Sequence, residues 1–133
     1  PLDGHSEIST SRAIAEGLDL GIERTFAPSV GGDAGVVGTQ AAEPFARFAE
    51  RVRFLCELPW FRPDQVRFAG RLVERVAIVA GGGDDTGYLE QAQGLGCDTY
   101  LAGHWWTPHA GAWCDANRAA IATLLPGLTM NLL

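Results

Sequence analysis

Three side chains that bind metals or carry protons crowd the first residues of the chain, PLDGHSEIS. Asp3, His5 and Glu7 alternate along the sequence, and residues two apart point to the same side of an extended segment. Carboxylates and an imidazole together suit a first-row divalent cation. Three ligands so close in sequence leave a metal half enclosed, so a complete site needs further ligands from elsewhere. The motif alone is weak support for metal binding.

A second group of candidate residues lies in LAGHWWTPHAGAWCD. His104 stands where a strand should end, and open α/β sheets carry their sites at the carboxyl ends of strands. His109 lies about 140° further around a helix, so the two imidazoles converge only if a turn separates them, which Pro108 allows. One hypothesis is a self-contained metal site of Asp3, His5, His104 and His109, which requires the first and fourth strands to meet. The alternative makes both histidines polar loop residues.

The segment AIVAGGGDDTGYLEQA runs from a predicted strand through glycines into a helix. Such a turn can direct backbone N–H groups at an anion. The segment matches neither the dinucleotide-binding nor the Walker pattern, and Asp84 and Asp85 put negative charge where a phosphate should bind. We therefore interpret the glycines as a tight turn, with Asp84, Asp85 or Thr86 capping the helix.

The elements that position these residues are predicted from the spacing of apolar side chains. STSRAIAEGLDLGI predicts a short helix with an N-cap among its first three residues and an end near Gly21. A short strand is predicted at Val36 and Val37, and a long helix over residues 41–58, which Pro59 terminates. The inner face of this helix is predicted to hold Phe45, Phe48, Ala49, Val52, Leu55 and Cys56, and its outer face Glu50, Arg51 and Arg53.

The second half of the chain alternates between strand and helix patterns. QVRFAG and RLVERVAIVAGGG read as strands, the latter apolar enough to be covered on both faces. They are followed by the helix DDTGYLEQAQGLG, the strand CDTYLAG, a helix starting near Pro108 and the strand PGLTMNLL. From about residue 75 onward this order predicts an α/β fold, a mainly parallel sheet with helices packed on it. We predict a single α/β lobe over 1–133, with a more variable α+β segment at about 25–70.

Composition narrows the classes of function. The net charge is −6, so nucleic acid is an unlikely partner. All ten basic residues are Arg, so no lysine is present to form a Schiff base. No apolar run reaches the roughly 18–20 residues of a membrane span, and no secretory signal precedes a cleavage site. A soluble, cytoplasmic protein without a membrane partner is expected. The cysteines, Cys56, Cys97 and Cys114, are too dispersed for a disulfide framework or zinc knuckle, and we predict buried free thiols.

Two blocks of the sequence resemble one known family. PLDGHSE resembles the P-L-D-x-H-P-E motif of the Nif-three-like family, whose members are also called GTP cyclohydrolase 1 type 2 homologues. RVAIVAGGGDDTGYLEQAQGLGCDTYLAGH resembles the strand, Gly-rich turn, helix and gaD-x-yitG(D/E) segment of that family. The order and separation of the blocks agree, so the resemblance covers nearly the whole chain. It departs at Ser9, Thr10 and Ser11, where the motif reads G-N-N, and at His104, where the family has an acidic residue.

The resemblance implies a homohexameric ring of two-lobed α/β subunits, each with a dinuclear site for divalent metal ions. This chain corresponds to the second lobe, and of the family's ligands only the motif aspartate maps onto it, as Asp3. The other ligands, an early His pair and a late His-x-x-x-Glu, are expected upstream of Pro1 and beyond Leu133. His5 and His104 are expected to support the ligands without binding the metal directly. The resemblance does not indicate whether the metals are zinc, iron, manganese or magnesium.

The function implied by the resemblance is metal-dependent hydrolysis of a small molecule, as in GTP cyclohydrolase. These 133 residues alone are expected to be catalytically silent, because the other ligands are absent from them. The alternative is a scaffold or adaptor protein in which the metals stabilise the ring without catalysis. No residue of the sequence discriminates between the two functions.

Overall fold

The computed structural model describes the backbone of residues 2–29, 32–55, 72–82, 86–104 and 130–133. It describes the side chains of residues 10–28, 32–55, 72–80, 87–102 and 130–133. The elements are α1 (Leu2–Gly17), β1 (Gly21–Ser29), β2 (Gly32–Glu43), α2 (Phe45–Leu55), β3 (Val73–Gly82), α3 (Thr86–Gly94), β4 (Thr99–His104) and β5 (Asn131–Leu132). Several predictions lie outside the described residues: the strand QVRFAG, the helix near Pro108, the caps Asp84 and Asp85, and the positions of Cys56, Pro59, His109 and Cys114.

The described strands form one sheet in the order β1-β2-β3-β4-β5. β1 pairs with β2 and β2 with β3 in antiparallel fashion, whereas β3–β4 and β4–β5 are parallel. The predicted α/β class is confirmed, and parallel pairing holds for the strands from β3 onward. The sheet as a whole is mixed and not mainly parallel, because only two residues separate β1 from β2, and so short a connection is open only to antiparallel strands.

Helices cover both faces of the sheet, because successive side chains of a strand point to opposite faces. Val76 and Ile78 of β3 belong to a core cluster with residues of α1 and α2, while Ala77 and Val79 belong to a second cluster with residues of α3. All four of these β3 side chains are buried. The prediction that this strand is covered on both faces is therefore confirmed.

Helix α1 begins earlier than its apolar pattern predicted. Asp3, His5 and Glu7 lie inside the helix, so the extended arrangement considered for them is wrong. Positions 3 and 5 are about 200° apart around a helix axis, whereas positions 3 and 7 are one turn apart. An acidic residue in the first turn is favourable near a helix N-terminus, and Asp3 supplies one, so the helix begins before the predicted N-cap residues. The helix ends at Gly17, before the predicted Gly21, and Asp19 follows in the left-handed region with φ 56°.

Helix α2 confirms the predicted long helix and its inner face. Phe45, Phe48, Ala49 and Val52 are buried, and the helix starts only after Pro44 because β2 extends to Glu43. The side chains of Arg51 and Arg53, both predicted to face outward, are only partly exposed. The prediction is wrong for Arg51. Its guanidinium donates hydrogen bonds to the side chains of Gln40 and Glu43 and to the carbonyl of Leu18. Arg51 therefore ties α2 to the end of β2 and to the segment after α1.

Cys97 is buried, as predicted for the free cysteines. Burial raises the pKa of the Cys97 thiol to about 11, against the opposing influence of the nearby Arg75 cation. The reactive form of cysteine is the thiolate, which is therefore scarce at neutral and mildly alkaline pH.

We expect iodoacetamide to modify Cys97 at pH 8 at least about tenfold more slowly in the folded protein than in urea, because the pKa is raised and the sulfur is buried. Peptide mass spectrometry assigns the rate to Cys97 separately from Cys56 and Cys114. Equal rates for Cys97 in the folded and unfolded protein would contradict the burial of this thiol.

Candidate metal centre

The direction of α1 on the sheet is set by a contact near its middle and another just after its end. Near its middle, the hydroxyl of Ser11 accepts a hydrogen bond from the N–H of Ala80, late in β3, at 3.0 Å. After its end, Leu20 lies so close to Gly38 that a Cβ on this glycine would come within 2.8 Å of the Leu20 Cβ. Gly38 pairs with Val76, early in β3. Helix α1 therefore runs antiparallel to β3.

This direction carries Asp3 to the carboxyl end of β3. Asp3 precedes Ser11 by eight residues, or about 12 Å of helix. Beyond Ala80, β3 continues for only two residues, about 7 Å. The first turn of α1 thus lies at or beyond the end of this strand.

His104 lies at the same end of the sheet. It is the last residue of β4, as the sequence predicted, and it pairs with Gly82, the last residue of β3. We call this region, formed by Gly82, His104 and the first turn of α1, the carboxyl edge. Open α/β sheets bind their ligands at such an edge.

The donor types at the carboxyl edge fit part of a divalent-cation site, since carboxylate and imidazole are both ligands of such ions. The backbone places Asp3, His5 and His104 there, but the side chains of these residues lie outside the described part, so their coordination stays a prediction. Among the described residues, no three His, Cys, Asp or Glu side chains gather closely enough to hold a metal ion. The self-contained site with His109 also remains a prediction, since His109 lies outside the described residues.

Two buried polar side chains, Ser11 and Asp98, organise the sheet in ways that the sequence did not predict. Ser11 was one of three candidate N-caps, but it lies in the interior of α1, fully buried. The carboxylate of Asp98 accepts hydrogen bonds from the N–H groups of Glu74 and Arg75 and from the hydroxyl of Thr99. Asp98 precedes β4, so it lies at the amino ends of the parallel strands, opposite to the carboxyl edge. Asp98 lay within the predicted strand CDTYLAG, and the available signal was its match to the aspartate of the gaD-x-yitG(D/E) segment.

The described residues also form an open groove of about 220 Å³ between β1 and α3. Its lining residues are Arg24, Thr25, Phe26, Pro28, Asp33, Gln91 and Leu95. At its base, the side-chain oxygen of Gln91 accepts a hydrogen bond from the N–H of Ala27, whose φ of 61° is unusual for a residue with a side chain. The groove lies on the face covered by α3, away from the face on which α1 packs. No helix in the described ranges is both long and apolar enough to cross a bilayer.

Comparison with solved structures identifies proteins of the same fold. The chain is similar to the Staphylococcus aureus hypothetical protein SA1388, with 22% identity and a TM-score of 0.53 over 76% of this chain and 25% of that one. It is similar to a Bacillus cereus protein related to NIF3, with 21% identity and a TM-score of 0.52 over 74% of this chain and 23% of that one. Protein ybgI, of unknown function, aligns over 99% of this chain and 45% of its own length, with 17% identity and a TM-score of 0.67.

The chain thus spans less than half the length of each of these structures. A search of curated proteins finds no match. The family model described as Duf34/NIF3 (NGG1p interacting factor 3) matches residues 1–126, which is nearly the whole chain. With the α/β fold and these structural neighbours, this match confirms the resemblance noted in the sequence. The chain belongs to the Duf34/NIF3 family.

Proposed function

We propose that this chain forms one wall of a divalent-metal site at the carboxyl edge and that Asp3 is its metal ligand. The observation that supports the proposal most is the antiparallel course of α1, which carries Asp3 to the edge where β4 ends at His104. The ligands that complete the site come from other parts of the full-length protein. The metals number two per subunit in this proposal, and their identity is left to measurement.

The function that follows is metal-dependent hydrolysis of a small molecule, in a cytoplasmic homohexamer. Bound divalent cations supply an activated water and a clamp for the substrate. Asp3 contributes negative charge that holds a cation, from the first turn of a helix that is fixed to the sheet. His104, at the end of β4, would support a ligand carboxylate, and His5, about 200° around α1 from Asp3, would support a ligand other than Asp3. Such partners tune metal affinity strongly. A nucleotide related to GTP is the first substrate to test.

Asp3→Ala is expected to remove at least one metal ion per subunit from the full-length protein, because the carboxylate is a direct ligand. Elemental analysis of the purified protein measures the loss, and circular dichroism checks that the fold is kept. Glu7→Ala is the matched control, since Glu7 is a carboxylate one helical turn further along α1. The proposal requires that this control retain its metal. An Asp3→Ala protein with an unchanged metal content would contradict the role of Asp3.

Catalysis and scaffolding are separated by a second pair of measurements on the same proteins. A hydrolase predicts turnover of GTP or a related nucleotide that disappears in the Asp3→Ala protein while the oligomer persists. A metal-stabilised scaffold predicts the reverse pattern, in which turnover is absent and chelation of the metal dissociates the ring. Size-exclusion chromatography with light scattering measures whether the ring dissociates.

A further inference from the structure

We propose that Ser11 is a positioning residue for this site, because its hydroxyl fixes α1 between β2 and β3 and thereby fixes the location of Asp3. This inference rests on the proposed metal site. Ser11 is fully buried. Its hydroxyl donates a hydrogen bond to the carbonyl of Ala34 in β2 at 3.1 Å and accepts one from the N–H of Ala80 in β3 at 3.0 Å. Both partners are backbone groups, so the helix is held by the strands themselves.

The two partners of Ser11 lie where the antiparallel pairing of β2 with β3 stops. The last paired residues toward this end are Gly35 and Val79. The next pair in the same register is Ala34 with Ala80, and there the Ser11 hydroxyl bridges the carbonyl of one strand and the N–H of the other. A hydroxyl can fill this role because it donates and accepts at once. Ser11 therefore takes a place in the sheet that a direct strand-to-strand hydrogen bond would otherwise occupy.

The bridge coincides with an irregularity on the other side of β3. The parallel register of β3 with β4 shifts between Val79 and Gly82, just before the pair of Gly82 with His104. Strand β3 therefore parts from β2 and changes its register with β4 over the same few residues. From here the last residues of β3 extend to Gly82, at the carboxyl edge. A side chain of α1 thus fixes both the helix that carries Asp3 and the last part of β3, whose Gly82 pairs with His104.

Removal of the bridge should act on the site as well as on stability. Without the hydroxyl, the N–H of Ala80 and the carbonyl of Ala34 lose this partner, and α1 loses a polar contact with both strands. Partners that orient metal ligands change metal affinity by roughly 10–100-fold when removed. A residue with only a structural role would lower stability and leave the affinity of the folded protein unchanged.

The test compares Ser11→Ala with Val52→Ala in the full-length protein stripped of metal. Val52 is buried in α2, in the same helical layer as α1, so its truncation destabilises the layer without removing a polar anchor. We expect Ser11→Ala to weaken binding of Zn²⁺, titrated by calorimetry, at least about tenfold. We also expect faster hydrogen exchange at the amides of residues 5–9 and 80–82. Val52→Ala should change Zn²⁺ affinity less than about twofold, and Ser11→Thr, which keeps the hydroxyl, should retain more affinity than Ser11→Ala.

Each outcome decides for or against the positioning role. Equal affinity losses in Ser11→Ala and Val52→Ala, or no loss in Ser11→Ala, would overturn it while the metal site itself stands. If Ser11→Ala fails to fold, Ser11→Cys takes its place, because a thiol is only a weak donor and acceptor. Its Zn²⁺ affinity must then fall by more than that of Val52→Ala, and an equal or smaller loss overturns the role. If Asp3→Ala binds Zn²⁺ as tightly as the parent protein, the proposed metal site fails, and the role of Ser11 fails with it.

Discussion

Replacing Asp98 by Ala is expected to lower the free energy of unfolding by about 3 kcal/mol, since three partly or fully buried donors lose their acceptor and each such loss costs roughly 1–3 kcal/mol. Asp98 is only 2% exposed, and one carboxylate oxygen accepts the N–H groups of Glu74 at 3.0 Å and Arg75 at 2.9 Å. The other oxygen accepts the hydroxyl of Thr99 at 2.8 Å. The substitution leaves all three donors without this partner, at the point where β3 and β4 begin.

Urea unfolding measures the loss of stability in Asp98→Ala, and two further variants serve as comparisons. Asp98→Asn keeps one acceptor oxygen, so we expect it to lose less than half as much stability as the alanine variant. Glu90→Ala, an exposed acidic residue on α3, should change the stability by less than about 0.5 kcal/mol. An Asp98→Ala protein within about 1 kcal/mol of the parent would show that these hydrogen bonds contribute little.

Gly35→Ala is the second substitution with a large expected effect, because β2 has no space for a methyl group at this position. A Cβ there would lie 2.6 Å from Cε1 of Phe26 and 2.7 Å from the carbonyl oxygen of Ile78. The phenyl ring can rotate away, but the carbonyl belongs to the backbone of β3. Overpacking of a buried site costs typically about 1–3 kcal/mol, and we expect the upper part of this range.

Gly94→Ala is the matched control for Gly35→Ala. Gly94 ends α3, and a Cβ added there meets nothing within 4 Å. Alanine is favoured over glycine in helices by up to about 1 kcal/mol, so Gly94→Ala should keep or raise the melting temperature. Thermal unfolding of the two variants should therefore diverge, and equal melting temperatures would contradict the packing at Gly35.

Several elements could be predicted from the sequence because the pattern of their apolar side chains matches the faces that the fold buries. Helix α2 has an unbroken apolar face, and β3 has the apolar run of a strand that is covered on both faces. Strand β1 was missed, since its sequence GIERTFAPS carries charges and a proline, features that suit the edge of a sheet. The left-handed Ala27 within it also breaks the regular pattern.

The candidate site was predictable only in part. The end of β4 at His104 follows from local sequence, and so does its assignment to the carboxyl edge. The position of Asp3 at the same edge depends on the direction of α1 across the sheet. This direction is set by contacts between distant parts of the chain, such as that of Ser11 with Ala80, 69 residues apart. Serine near the start of a predicted helix is typical of an N-cap, so nothing in the local pattern indicated a bridge between two strands.

Anomalous X-ray diffraction decides whether Asp3 binds a metal ion. Crystals of the full-length protein, loaded with Zn²⁺ or Mn²⁺, are measured above and below the absorption edge of the metal. We expect an anomalous peak about 2.0–2.2 Å from a carboxylate oxygen of Asp3, at the edge where β4 ends. Metal peaks that lie only elsewhere, with none in contact with Asp3, would contradict it.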